Sequence, residues 1–180
     1  MSYFDETSDL PSGLKGLFLR SKVSLSIADP NREDCPLVGV NEPFCDLSGY
    51  GADEVLGHNC RFLQPSDGAG PVRARMRRFL SDDTVTDGKF LIPNCTKQGD
   101  RFLNLVYMAK LEHQGRVSLI LGSQFGVRIH NSQGTDAYEL ALKEDLRQLK
   151  TLADQRDWTV LGSYDALASS HSMIARLRME

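Results

Sequence analysis

The run Asn59-Cys60-Arg61-Phe62-Leu63-Gln64 concentrates four chemically active side chains in six residues: a thiol, two amides and a guanidinium. Side-chain amides offer donors and acceptors together, and a guanidinium presents a planar fork that matches phosphate. This set suits the holding of a polar, phosphorylated ligand beside a sulfur atom. Arg77 lies downstream on a helix expected from about residue 71 to 80, where it offers a second phosphate contact. On residue types alone, the plain alternative is a buried thiol beside a surface charge.

Positioning these groups requires a framework, and hydrophobic periodicity outlines one. Leu10, Leu14, Leu17 and Phe18 recur on one helical face within residues 1–22. Residues 23–29 alternate as a strand does and stop at Asp29-Pro30-Asn31. A second short strand is expected at 37–40. Residues 43–80 read as short helical turns broken at Gly49, Gly51, Gly57 and the loop 65–70, with Pro71 suited to the first turn of the next helix. Three strands follow at 89–96, 101–112 and 117–127, joined by hairpin-type connections at 97–100 and 113–115. Two strands, a helical middle and three meandering strands predict an α+β fold: a five-stranded antiparallel sheet with helices on one face. Beyond it, Thr135 caps an expected helix to about Trp158 with Tyr138, Leu142, Leu146 and Leu149 on one stripe, and Ser163 opens a second helix. The expected units are an N-terminal helical cap (1–22), a core (23–127) and a C-terminal helical extension (128–180).

The chain has 180 residues and a net charge of −3, with 41% hydrophobic and 25% charged residues. Such values fit a folded globular protein and give no general excess of positive charge for binding nucleic acid. Arg73, Arg75, Arg77 and Arg78 lack the interleaved aromatics of a nucleic-acid surface and read as a solvated helix face. No apolar run reaches the roughly 18 residues of a membrane span, and the polar, acidic start is no secretory signal. These features lead to the expectation of a cytoplasmic protein. Cys35, Cys45, Cys60 and Cys95 show no metal-ligand spacing, and each reads first as a small buried hydrophobe.

The stretch Gly57-His58-Asn59-Cys60-Arg61-Phe62-Leu63-Gln64 resembles the flavin-binding signature of the LOV (light-oxygen-voltage) photoreceptors, a branch of the PAS fold. Asn41-Glu42-Pro43-Phe44-Cys45-Asp46-Leu47-Ser48-Gly49-Tyr50 is similar to the family's N-x-x-F-x-x-L-[ST]-G-Y, and Asp53-Glu54-Val55-Leu56-Gly57 to its E-[IV]-[IL]-G lead-in. Asn94 and Asn104 resemble the family's two strand asparagines, and Gly122-Ser123-Gln124 its G-x-Q. The likeness covers about residues 23–127. The chain departs from the pattern at Pro65, Ala28 and Val106, where Gly, Thr and Phe are common, and Pro93 precedes Asn94.

The resemblance implies a blue-light photoreceptor that binds FMN and forms a reversible adduct between the Cys60 sulfur and the flavin C4a carbon. Asn59 and Gln64 would bind the ribityl chain, and Arg61 and Arg77 the phosphate. Asn94 and Asn104 would pair with the pyrimidine edge, and Gln124 would face N5 and O4 and act as the switch. No enzymatic turnover is implied. The roughly 53 residues after the sheet are too few for a kinase or cyclase domain. The flanking helices resemble those of short LOV proteins, which implies a homodimer through the terminal helices and a downstream signalling partner whose identity the sequence leaves open. A flavin-dependent redox sensor or electron-transfer protein, with Cys60 incidental, is the alternative, followed by a light-independent PAS interaction module.

Overall fold

The computed structural model describes residues 2–66, 68, 70, 72–127 and 158–161. Helix α1 (Ser12–Arg20) precedes strands β1 (Ser24–Ala28) and β2 (Leu37–Val40). The helical middle comprises α2 (Glu42–Ser48), α3 (Ala52–Val55), a 3-10 turn (Cys60–Leu63) and α4 (Val72–Ser81). Strands β3 (Asp87–Cys95), β4 (Arg101–His113) and β5 (Arg116–Val127) follow, and a short β6 (Trp158–Leu161) closes the described chain. The main sheet runs β2-β1-β5-β4-β3, antiparallel throughout. The expected α+β architecture is therefore present.

Local chemistry explains the breaks. Gly49 ends α2 in the left-handed region at φ 78°, a conformation that costs glycine nothing. Gln114 and Gly115 both take positive φ, 53° and 75°, which is the signature of the twist-matched two-residue hairpin. Pro93 lies in β3, the outer strand of the main path, where a missing N–H is tolerated.

Alternation along the strands gives the sheet two distinct faces. On one, Leu25, Ile27, Tyr107, Leu111 and Leu121 pack against Leu14, Leu17 and Phe18 of α1. The other face carries Ile92, Val106 and Ile120, with Val72 and Phe79 of α4 in the same cluster. The N-terminal cap and the helical middle thus cover opposite faces.

Asn41 joins these layers. Its Oδ1 accepts from Leu25 N (2.8 Å) and Phe44 N (3.1 Å), and its Nδ2 donates to Val23 O (2.8 Å) and Phe18 O (3.5 Å). One buried amide therefore ties the end of α1, the start of β1 and the cap of α2. At the far end, the fully buried Lys110 donates to Asp82 O (2.9 Å) and sits 5.1 Å from the centre of the Phe79 ring. It anchors the loop after α4 to β4, satisfying a helix-terminal carbonyl with a cation.

One expectation changes. The sequence pattern places residue 158 at the end of a helix, whereas Trp158–Leu161 is a strand paired antiparallel with 110–113 of β4. Trp, Thr and Val favour a pleated, half-covered surface, and the exposed edge of β4 beyond β3 outweighs helical continuity. The remaining residues of the two expected C-terminal helices lie outside the described residues.

Candidate functional site

A cleft opens between the sheet's second face and the helical middle. Ala28, Leu37, Ile92, Val106 and Ile120 line it from the sheet, and Leu63 and Met76 from the helical middle. Its enclosed space is narrow, about 60 Å³. Polar groups also line it: Cys60, Gln64, Asn94, Asn104, Ser26 and Gln124. A larger, open and mainly polar hollow at Asp9, Arg32 and His113 contains none of them.

Cys60 begins the 3-10 turn. Asn59 caps that turn, its Oδ1 accepting from Arg61 N at 3.0 Å. The thiol is partly covered, and burial pushes its pKa up, with the Arg61 guanidinium pulling the other way. Cys60 therefore presents a protonated S–H to the cleft at neutral pH.

Asn94 and Asn104 lie on the cleft side of β3 and β4, both buried. Asn104 Nδ2 donates to Asn94 Oδ1 at 2.8 Å, and Asn94 Nδ2 donates to Pro93 O at 3.0 Å. Asn104 Oδ1 is buried without a partner. On β5, Gln124 Nε2 donates to Ser26 Oγ at 2.7 Å, and its Oε1 accepts from Ser24 Oγ at 3.2 Å.

Five of the eight expected site residues therefore line one cleft: Cys60, Gln64, Asn94, Asn104 and Gln124. The other three point elsewhere. Asn59 Nδ2 donates to Asp34 O (2.6 Å) and Cys35 O (3.4 Å). Arg61 forks onto the Asp34 carboxylate at 2.6 and 3.1 Å, on the exposed side of the turn. Arg77 is exposed on α4, because the helical turn that brings its neighbour Met76 into the cleft rotates Arg77 away by about 100°. Asp34 and Cys35 both hold positive φ, 64° and 48°, uncommon for side-chain-bearing residues. The Asn59 and Arg61 contacts hold that strained loop against the turn carrying Cys60.

Sequence reading missed Ser24, Ser26 and Asp34. For the serines a signal existed: they alternate with Leu25 and Ile27, placing hydroxyls on the cleft face. Asp34 gave none, because its role depends on a loop conformation.

A PAS domain family model matches residues 24–125, the span that contains the sheet and the cleft. The crystal structure of the Rhodobacter sphaeroides LOV protein superposes with a TM-score of 0.71 at 26% identity, covering 92% of this chain and 89% of that one. This chain is a LOV domain of the PAS superfamily. Blue-light-activated histidine kinase 1 of Erythrobacter litoralis is 33% identical over 109 residues, which is 60% of this chain and 30% of that protein. The blue-light photoreceptor of Listeria monocytogenes is 29% identical over 140 residues, 78% of this chain and 52% of that protein. The LOV domain thus spans about a third to a half of the length of such curated relatives. Among the described residues of this LOV domain, no helix is long and apolar enough to cross a membrane.

Proposed function

We propose that this LOV domain is a blue-light sensor that holds FMN in the cleft and signals through its flanking segments, with no substrate turned over. The observation that carries the reading is the unpartnered, buried Asn104 Oδ1. A buried carbonyl without a donor costs about 1–3 kcal/mol, and the N–H of a flavin pyrimidine edge is a donor of matching kind. Asn94 and Asn104 together offer the mixed donor–acceptor set that such an edge requires.

FMN would supply light absorption and the electrophilic C4a carbon. Cys60 would supply both the sulfur nucleophile and the proton for the flavin N5, a pair that needs no external oxidant or reductant. The raised thiol pKa keeps that proton in place beforehand. Gln124 would face the flavin N5 with its amide, and Gln64 would hold a ribityl hydroxyl. The narrow cleft means that side chains part to admit the ring. Arg61 reaches a phosphate by leaving Asp34, Asn59 steadies the turn beside it, and Arg77 closes from α4.

The output is a redistribution between helix docking and self-association through the terminal segments, passed to a signalling partner. Reversing such an equilibrium completely needs roughly 5.5 kcal/mol. One or two exchanged hydrogen bonds contribute about 1 kcal/mol each, so a partial shift follows. Absorption spectra test the reading: bound-flavin bands should bleach under blue light and recover in the dark, and Cys60→Ala should retain the bands and lose the bleach. A flavin-loaded protein that stays unbleached, or bleaches only with an added electron donor, overturns it. Identical scattering profiles in dark and light would remove the association step.

A further inference from the structure

Both ends of the Gln124 amide are held by hydroxyls of one neighbouring strand. Ser24 Oγ donates to Oε1 at 3.2 Å, and Nε2 donates to Ser26 Oγ at 2.7 Å. All three side chains are buried. The register of β1 on β5 produces this: Ser24 lies opposite Gln124 and Ser26 opposite Gly122. Gly122 keeps the meeting point open, since a Cβ there would stand 2.8 Å from Ser26 Oγ and 2.9 Å from Gln124 Nε2.

We propose that Ser24 and Ser26 are positioning residues that let Gln124 hold either amide orientation without losing a hydrogen bond. This deepens the photoreceptor reading and rests on Gln124 being its switch. A hydroxyl is donor or acceptor according to its rotation. In the observed orientation Ser24 donates and Ser26 accepts. After a half-turn of the amide, Nε2 donates to Ser24 Oγ and Ser26 Oγ donates to Oε1. Each orientation satisfies both ends, so neither is penalised by an orphaned buried group. The preference between them is then left to the group facing the amide from the cleft. Aspartate at these positions, which only accepts, would favour one orientation, and an apolar side chain would orphan one end.

The test has two arms. In flavin-free protein labelled with 15N-glutamine, the Gln124 side-chain amide resonances are identified by their loss in Gln124→Leu. Ser26→Ala should move them upfield as the Nε2 bond is lost, and Ser24→Ala should alter them through Oε1. Unmoved resonances in both variants overturn the clamp. In flavin-loaded protein, Ser26→Ala should change the dark-recovery rate by roughly fivefold or more, and by less than about twofold when Gln124 is already Leu. An effect of equal size in both backgrounds overturns the proposal, because the serine would then act independently of the amide. A wild-type protein that never bleaches refutes the photoreceptor reading instead, and the amide resonances still decide whether the clamp exists.

Discussion

Asn104 gives its amide N–H to Asn94 at 2.8 Å and leaves its own carbonyl oxygen buried and unmatched. The two asparagines sit on adjacent strands, two register steps apart, since Asn104 is opposite Ile92 and Asn94 is opposite Phe102. Their side chains meet diagonally across the cleft face, a reach that cross-strand geometry permits.

Replacing both residues tests whether they serve binding or folding. Asn94→Leu together with Asn104→Leu removes two hydrogen bonds, worth about 1 kcal/mol net each, and one orphan costing about 1–3 kcal/mol, so losses and gains nearly cancel. The flavin-free double variant should therefore melt close to wild type. Flavin titration followed by fluorescence should show affinity reduced at least about tenfold. A destabilised double variant with unchanged flavin affinity would show that the pair serves the fold.

Arg61 and Asp34 make opposite predictions for ligand affinity. Their pair is exposed, and such pairs contribute about 0–1 kcal/mol. Arg61→Ala should therefore leave the melting temperature nearly unchanged while weakening FMN binding. Asp34→Asn frees the guanidinium and should strengthen FMN binding over riboflavin binding. Titrations of both flavins at low and high salt check this, and equal responses for the two ligands would separate Arg61 from the phosphate.

The thiols set the alkaline behaviour. Burial raises the Cys60 pKa, and it raises Cys35 to about 11. A raised folded-state pKa means that the native protein holds the proton more tightly than the unfolded chain does. The associated stability is complete below the unfolded value near 9 and is lost as pH climbs toward 11. Urea midpoints should therefore fall between those limits, and Cys35→Ala should flatten the fall. Across pH 6 to 8, the yield of light-induced bleaching should stay level because Cys60 remains protonated.

The N-terminal segment should loosen in acid. Hydrogen bonds from Arg32 and Thr7 hold the Asp5 carboxylate down, from 3.8 to about 2. A lowered folded-state pKa contributes stability above the unfolded value near 4, and that contribution disappears as pH falls toward 2. Limited proteolysis at residues 5–9 should accelerate below about pH 4, and Asp5→Asn should remove the pH dependence. Leu17→Ala, at a position with 0% exposure on the sheet-facing side of α1, should cost about 2–5 kcal/mol at any pH.

By itself the sequence determined the order of elements and the place of the chemistry. Period-two alternation in 23–29 and 101–127, glycines at 49, 57, 99 and 115, and the Leu14–Leu17–Phe18 stripe are local patterns, and local backbone preference reads them directly. Cys60, Asn94, Asn104 and Gln124 were legible through their resemblance to the LOV motifs, whereas residue type alone reads the two asparagines and Gln124 as solvent-facing; the fold brings all four to one cleft. Only the tertiary structure decided what each group touches. Gln124 meets hydroxyls 98 and 100 residues away, Arg61 meets a carboxylate 27 residues away, and Lys110 meets a loop carbonyl 28 residues away. Such partners are chosen by strand register and loop path. One step of register exchanges every side chain between faces, and Asp34 reaches Arg61 from a strained backbone that its residue type does not announce. β6 shows the same limit: Trp158–Leu161 became a strand because an edge of β4 was free to pair with it, a fact held by the assembled sheet.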